Sequence, residues 1–172
     1  TPPPDRHVTR RCTVRCRSHG HERPSGSRTT EKACRLVGLA VALSAEDGGT
    51  DRLIGAGTVL TADDVDRVRD CGGNLIVSPN VDRAVISRAI ALGMRMMPGV
   101  MTPTEALAAI DSGARDLKFF PASLLGPDGI RAIRAVLPDD VRIYAVGGVG
   151  AGDFAVYAAA GVYGFGLGSS LF

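Results

Sequence analysis

The sequence predicts an α/β protein built as a parallel barrel, and three observations carry that prediction. Short apolar runs begin near Leu53, Leu75, Met94, Leu117, Arg142 and Gly164, at spacings of 22, 19, 23, 25 and 22 residues. Segments with helical punctuation lie between them. The composition agrees, because 22 Gly, 5% aromatic residues and no Trp in a 172-residue chain suit many tight strand-to-loop turns. Strands alternating with helices of about ten residues imply a parallel sheet with right-handed crossovers. The runs lack strict alternation, as strands covered on both faces do. Six units exceed a Rossmann half, and no GxGxxG opens a helix after a first strand, so dinucleotide binding is poorly supported. The expectation is a (β/α)8 TIM barrel whose first two strand-helix units are atypical or missing and whose closing helix is absent.

The helices announce their own ends. Thr61 and Asp64 cap a segment that stops near Gly72, and residues 82–92 close at Gly93. Thr102-Pro103-Thr104-Glu105 is a capping box with Pro at the first helical position, and its helix ends near Gly113. Residues 151–160 close at Gly161. Cys71, at the end of the first of these helices, reads as a small core residue.

Two compositions meet near residue 35. Residues 1–35 hold eight Arg and one Lys against three acids, whereas residues 36–172 hold eleven basic and fifteen acidic groups. All three His and three of the four Cys also lie in the first part. With Val8, Cys12, Val14 and Cys16 as its only apolar residues, 1–32 cannot bury a strand or a helix face. Residues 1–35 therefore read as a disordered basic arm, and residues 36–172 as the barrel domain. No aromatic is interleaved in the arm for base stacking, which argues against nucleic acid as a partner. Cys12, Cys16, His19 and His21 are spaced too tightly for a zinc finger, so no metal is expected. Residues 33–45 are apolar at ten of thirteen positions and read as a buried helix rather than a signal-peptide core. No run of 18 apolar residues is present, so no membrane span is expected, and the location is expected to be cytoplasmic.

In a barrel, chemistry belongs at the carboxyl ends of the strands. Those ends read Gly57-Thr58, Ser78-Pro79, Pro98-Gly99, Lys118 with Phe119-Phe120-Pro121, Gly147-Gly148 and Gly168-Ser169-Ser170. The chain uses 18 Arg and two Lys, namely Lys32 in the arm and Lys118. A lysine among apolar neighbours, in a chain that otherwise writes Arg, suggests that an amine is required, because guanidinium is not deprotonated at useful pH. Burial frees the amine to attack a carbonyl. Pairing with a carboxylate such as Asp116, or snorkelling to the rim, is the other reading. Gly147-Gly148 and Gly168-Ser169 expose backbone N–H groups that suit a phosphate beside the N-terminus of a short helix.

These residues resemble a known family. GAGTVL (55–60), LIVSPN (75–80), MMPGVMTPTEA (96–106), LKFFPAS (117–123), AVGGV (145–149) and GLGSSLF (166–172) are similar to the 2-keto-3-deoxy-6-phosphogluconate/6-phosphogalactonate aldolases, in order and spacing. SPN, AVGGV and GLGSSLF resemble the phosphogalactonate branch more than the phosphogluconate branch. The resemblance implies a class I aldolase, usually a homotrimer and without metal or cofactor. It would cleave 2-dehydro-3-deoxy-6-phosphogalactonate to pyruvate and D-glyceraldehyde 3-phosphate. Lys118 matches the family's Schiff-base lysine, Thr58 a residue near the pyruvyl carboxylate, and Gly147, Gly148, Gly168 and Ser169 the phosphate contacts. The alternatives are phosphogluconate cleavage and an inactive fragment that only binds a sugar phosphate.

The family also carries an Arg ending its first strand and a Glu ending its second. Arg6, Glu22 and Glu31 are the right types in the wrong surroundings, so neither role is carried over. This break in composition predicts that residues 1 to about 35 come from an out-of-frame or mis-started translation. Translating the coding DNA in the other two frames should then give one strand ending in Arg and another containing Glu. Two frames without them would sink the idea.

Overall fold

The computed structural model describes residues 53–167. The arm, the apolar run 33–45, Gly168 and Ser169 lie outside the described residues. The chain alternates strand and helix throughout: β1 (Gly55–Ala56), α1 (Ala62–Asp70), β2 (Leu75–Val77), α2 (Arg83–Ala91), β3 (Arg95–Met97) and β4 (Gly99–Val100). It continues with α3 (Pro103–Asp111), β5 (Asp116–Phe119), α4 (Ala122–Arg134), β6 (Arg142–Val146), a 3-10 turn (Ala151–Asp153), α5 (Phe154–Ala159) and β7 (Gly164–Gly166). Every pairing is parallel, in the orders β1-β2-β3 and β4-β5-β6-β7. Strands that neighbour in sequence neighbour in space, which is the winding of a (β/α) barrel. The described residues form five of its strand-helix units and the strand of a sixth.

β3 and β4 are one strand broken at Pro98. Proline has no N–H to give the ladder, so the regular pairing lapses there. The Pro98 carbonyl still accepts from the Lys118 N–H at 2.9 Å, and the Met97 carbonyl accepts from the Ser78 N–H at 3.2 Å. The first half thus pairs towards β2 and the second towards β5, which turns the wall. At this corner the backbones crowd. A Cβ on Gly99 would lie 2.2 Å from the Pro79 carbonyl oxygen, so only glycine fits.

The helices close where the sequence says. The Thr61 and Thr102 hydroxyls accept from the Asp64 and Glu105 N–H groups, and the Asp82 carboxylate accepts from the Ala84 and Val85 N–H groups. α4, for which the sequence offers no cap or stop, is kinked at Gly126, where φ is 65° just before Pro127, because a residue preceding proline is pushed out of the α region. One detail differs from expectation. The segment 151–160 starts as a 3-10 turn before its α-helical turns.

The core lies between strands and helices. Ile76, Met96, Val100, Leu117, Phe119, Ile143 and Ala145 point outward and are buried against Val65, Val68, Val85, Ile86, Ala106, Ala109, Ile130 and Ile133 of the helices. The inward residues are less covered, so β6 alternates half-buried and buried. This departs from the expectation of strands covered equally on both faces. The inner layer here is built from Arg95, Asp116, Arg142 and Tyr144 rather than from apolar side chains.

Asp116 holds that layer together at the amino end of the strands. The Arg142 guanidinium pairs with it, Nη2 donating to Oδ2 at 2.8 Å while Nε stands 2.7 Å from Oδ1 as an ion pair without hydrogen-bond geometry. Arg95 Nε approaches from the other side at 3.3 Å. The carboxylate is buried while both guanidiniums remain about one-third exposed. Removing the carboxylate leaves two like charges facing each other in a poorly solvated space. Asp116→Ala should therefore destabilise the chain by about 1–3 kcal/mol in urea titrations, and a change within error would show the cluster to be dispensable.

Candidate active site

Lys118 sits in the middle of β5 with its side chain on the inner face, two residues above Asp116. It is 9% exposed. Asp116 is engaged by Arg95 and Arg142, so the pairing left open by the sequence goes elsewhere. Among the described residues no carboxylate lies against the amine. Its Nζ stands 4.5 Å from the centroid of the Phe120 ring. Two effects then oppose each other. Cation–π attraction favours the ammonium by about 0.5–2 kcal/mol, whereas burial disfavours it and moves fully buried lysines by up to about 3–5 pH units. Burial wins, and it pulls the Lys118 amine below the ordinary lysine range.

Phe120 links the amine to the glycine turn. A Cβ on Gly147 would lie 3.0 Å from two of its ring carbons, so the ring covers this turn closely. Gly147 and Gly148 have φ of 90° and 71°, values that other residues reach only with strain. They close the end of β6, the strand next to Lys118. The Ser123 hydroxyl lies against Gly148, and the Ser123 N–H donates to the Gly147 carbonyl at 3.1 Å. Lys118, Gly147 and Gly148 are therefore brought together on neighbouring strands.

Thr58 is at the same end of the wall, beyond β1, three strand positions from Lys118 along the ladder. It is exposed and is the one described residue other than glycine with positive φ, at 59°. For a β-branched residue this is a strained conformation, of the kind found where function sets the backbone.

The short helix after Gly148 differs from expectation. Its free N–H at Gly150 already donates to the Asp153 carboxylate at 3.0 Å. An acid in that place supplies the negative charge that a phosphate would bring to the helix end, which leaves the backbone N–H groups of the Gly147-Gly148 turn as the donors available to an anion here.

Glu105 follows β4 by five residues, as Asp82, the cap of α2, follows β2. It accepts from the Met101 and Thr102 N–H groups at 2.8 and 2.9 Å and from the Thr102 hydroxyl at 2.9 Å. The Met101 N–H leads in holding its carboxyl below the usual range, partial burial works the other way, and the Thr102 groups add to the lowering. A carboxylate so engaged is a helix cap and a poor proton carrier. Among the described residues no group of three His, Cys, Asp or Glu is placed to hold a metal ion. No helix of the described residues is long and apolar enough to cross a membrane.

The sequence singled out neither Phe120 nor Tyr144. Phe120 could have been found, because a residue two positions beyond Lys118 in a strand shares its face. Tyr144 is opposite Lys118 in the β5–β6 register, and that register is invisible in either strand alone.

The fold and the site together define a (β/α) barrel with a desolvated lysine on an inner strand face beside a glycine turn. The family model "KDPG and KHG aldolase" matches residues 28–172, and the chain belongs to that family. A "Probable 2-dehydro-3-deoxy-6-phosphogalactonate aldolase" of Rhizobium meliloti (strain 1021) is 66% identical over 120 residues, covering 70% of this chain and 57% of the relative. The 2-dehydro-3-deoxy-6-phosphogalactonate aldolase of Escherichia coli (strain K12) is 48% identical over 124 residues, covering 72% of this chain and 60% of the relative. This chain thus spans less than two-thirds of the length of either relative. A solved structure described as native KDPGal superposes with a TM-score of 0.72 at 40% identity, over 84% of this chain and 77% of that one.

Burial makes a stability prediction with a definite sign. Lys118 has a lower pKa folded than unfolded, so between the two values the unfolded chain binds more protons, and stability rises with pH through that window. Lys118→Met should therefore be more stable than the parent chain at pH 7. The gap should narrow as pH rises towards the unfolded lysine value of about 10.4. Denaturant midpoints at pH 7 and pH 10 check this, and a gap that widens at pH 10 contradicts it.

Proposed function

We propose that this chain is a class I aldolase that cleaves 2-dehydro-3-deoxy-6-phosphogalactonate to pyruvate and D-glyceraldehyde 3-phosphate through a Schiff base on Lys118. The observation that carries the reading is the desolvated Lys118 amine, without a carboxylate partner among the described residues, beside a glycine turn. Free amine attacks the C2 ketone and water leaves, giving an iminium. That cation accepts the electron pair of the C3–C4 bond as it breaks, while the C4 hydroxyl gives up its proton and becomes the aldehyde. The enamine left on Lys118 takes a proton at C3, and hydrolysis returns pyruvate and the amine.

The Gly147 and Gly148 N–H groups, with Gly168 and Ser169, would hold the phosphate, and Thr58 would meet the carboxylate. The names of the two relatives support phosphogalactonate over phosphogluconate. A homotrimer in the cytoplasm, acting on a small phosphorylated keto-deoxy sugar acid, completes the reading. The lack of a free proton carrier among the described residues favours a second reading, a chain that binds the sugar phosphate without turnover. General acid–base help is worth about 10²–10⁴-fold, so its loss alone leaves a slow enzyme.

Borohydride trapping with pyruvate tests both readings. Intact mass should show one reduced adduct, peptide mapping should place it on Lys118, and Lys118→Arg should abolish it. A folded chain that forms no adduct is at most a binding protein. An adduct without cleavage of either phosphosugar acid would separate Schiff-base formation from turnover.

A further inference from the structure

We infer that Tyr157 is a positioning residue for the Gly147-Gly148 turn, its hydroxyl clamping the first turn of α4, on which the two glycines rest. This deepens, and rests on, the reading of that glycine turn as a phosphate cradle.

The contacts run through backbone groups. The Tyr157 hydroxyl donates to the Ala122 carbonyl at 3.1 Å, out of reach of water. The next residue, Ser123, donates its N–H to the Gly147 carbonyl at 3.1 Å. Its hydroxyl lies where a Cβ on Gly148 would stand, and a Cβ on Gly147 would meet the Phe120 ring at 3.0 Å and the Pro121 Cα at 3.4 Å. Both glycines are therefore shaped against residues 120–123. Tyr157 itself belongs to α5, the helix into which the glycine turn leads. Residues 122 and 123 thus hold the β6–α5 connection at both ends. Ser123 fixes its start, and Tyr157 ties the following helix back to Ala122.

The first turn of α4 needs an anchor of this kind. Pro121 gives it no side-chain cap, and the kink at Gly126 parts residues 122–125 from the rest of the helix. Pro127 has no N–H, so the Ser123 carbonyl lacks its ladder donor four residues on. Tyr157 is buried at 5% exposure and Ala122 is fully buried, so an unpaired phenol or carbonyl here would carry a desolvation cost. Each is the other's partner. Burial chiefly, and then the Asp153 charge, pushes the Tyr157 phenol up, so it stays a neutral donor. Tyr157→Phe therefore removes one hydrogen bond and no charge, and it keeps the ring and its packing.

The test reads backbone amides of the full, isotope-labelled chain. Hydrogen exchange at the Ser123 N–H needs no ligand. In Tyr157→Phe it should quicken about fivefold, the weight of one neutral hydrogen bond. The Lys118 N–H, bound to the Pro98 carbonyl inside the wall, should keep its rate. Titration with inorganic phosphate, followed at the Gly147 and Gly148 N–H signals, should show binding about fivefold weaker than in the parent chain. Equal acceleration of both amides would mean general loosening and would overturn the inference. An unmoved Ser123 rate, or a phosphate affinity that stays at the parent value, would overturn it too. A Ser123 amide that quickens alone, in a protein whose parent chain binds no phosphate, would support the clamp and sink the phosphate reading alone.

Discussion

Keeping one amine out of water is the constraint on which the rest of this structure depends. An ammonium group is among the costliest charges to bury, and a lysine near a rim usually swings out instead. Here the side chain starts from the middle of β5 and projects into the wall's inner face, so its stem cannot simply leave. The remaining ways to lower the cost are a carboxylate partner or loss of the proton. A free carboxylate two residues away would have favoured the first and held the lysine charged. Arg95 and Arg142 take that carboxylate. Among the described residues what stands at Nζ is the Phe120 ring, and burial, the larger effect, lowers the cost of losing the proton.

The same arrangement divides the barrel wall along its length. At the amino end, the Arg95–Asp116–Arg142 cluster carries paired charge and holds three strands together. At the carboxyl end, the residues are lysine, threonine and glycine, which leave backbone N–H groups and open space. Barrels in general keep stability at the first end and chemistry at the second. Pro98 takes part in this division. By interrupting the ladder midway, it lets one strand pair towards β2 below and β5 above, which turns the wall where Lys118 needs a neighbour without a side chain.

What the sequence made legible was local. Strand starts fell within two residues of observed strands because apolar runs and glycine stops are properties of short segments. The caps at Thr61 and Thr102 were readable because a hydroxyl and an N–H three residues apart meet by helix geometry alone. Lys118 stood out through residue choice, as a lysine in a chain that writes arginine. The partners were not legible. Arg95 and Arg142 lie 21 and 26 residues from Asp116, and Tyr144 pairs with Lys118 only through register. The backbone of Thr58 was hidden too, since a β-branched residue is the last that composition would place at positive φ. The Asp153 cap escaped notice because it depends on how the chain leaves the Gly147-Gly148 turn.

Cleaving a carbon–carbon bond next to a hydroxyl needs two things, a sink for the electron pair and an acceptor for the hydroxyl proton. On the proposed reading, Lys118 would answer the first by forming the iminium as free amine, and the Gly147-Gly148 turn on the next strand would hold the far phosphate so that the ketone is presented to it. The second need is unmet among these residues, for a physical reason. Glu105 is fixed by three donors in its own turn, and Asp116 is buried a layer below between two guanidiniums. Asp82 and Asp153 likewise cap their own helices, so on the proposed reading the proton would pass to water or to a residue outside 53–167. Binding and Schiff-base formation on one side, and proton transfer on the other, are thus separable properties of this fold.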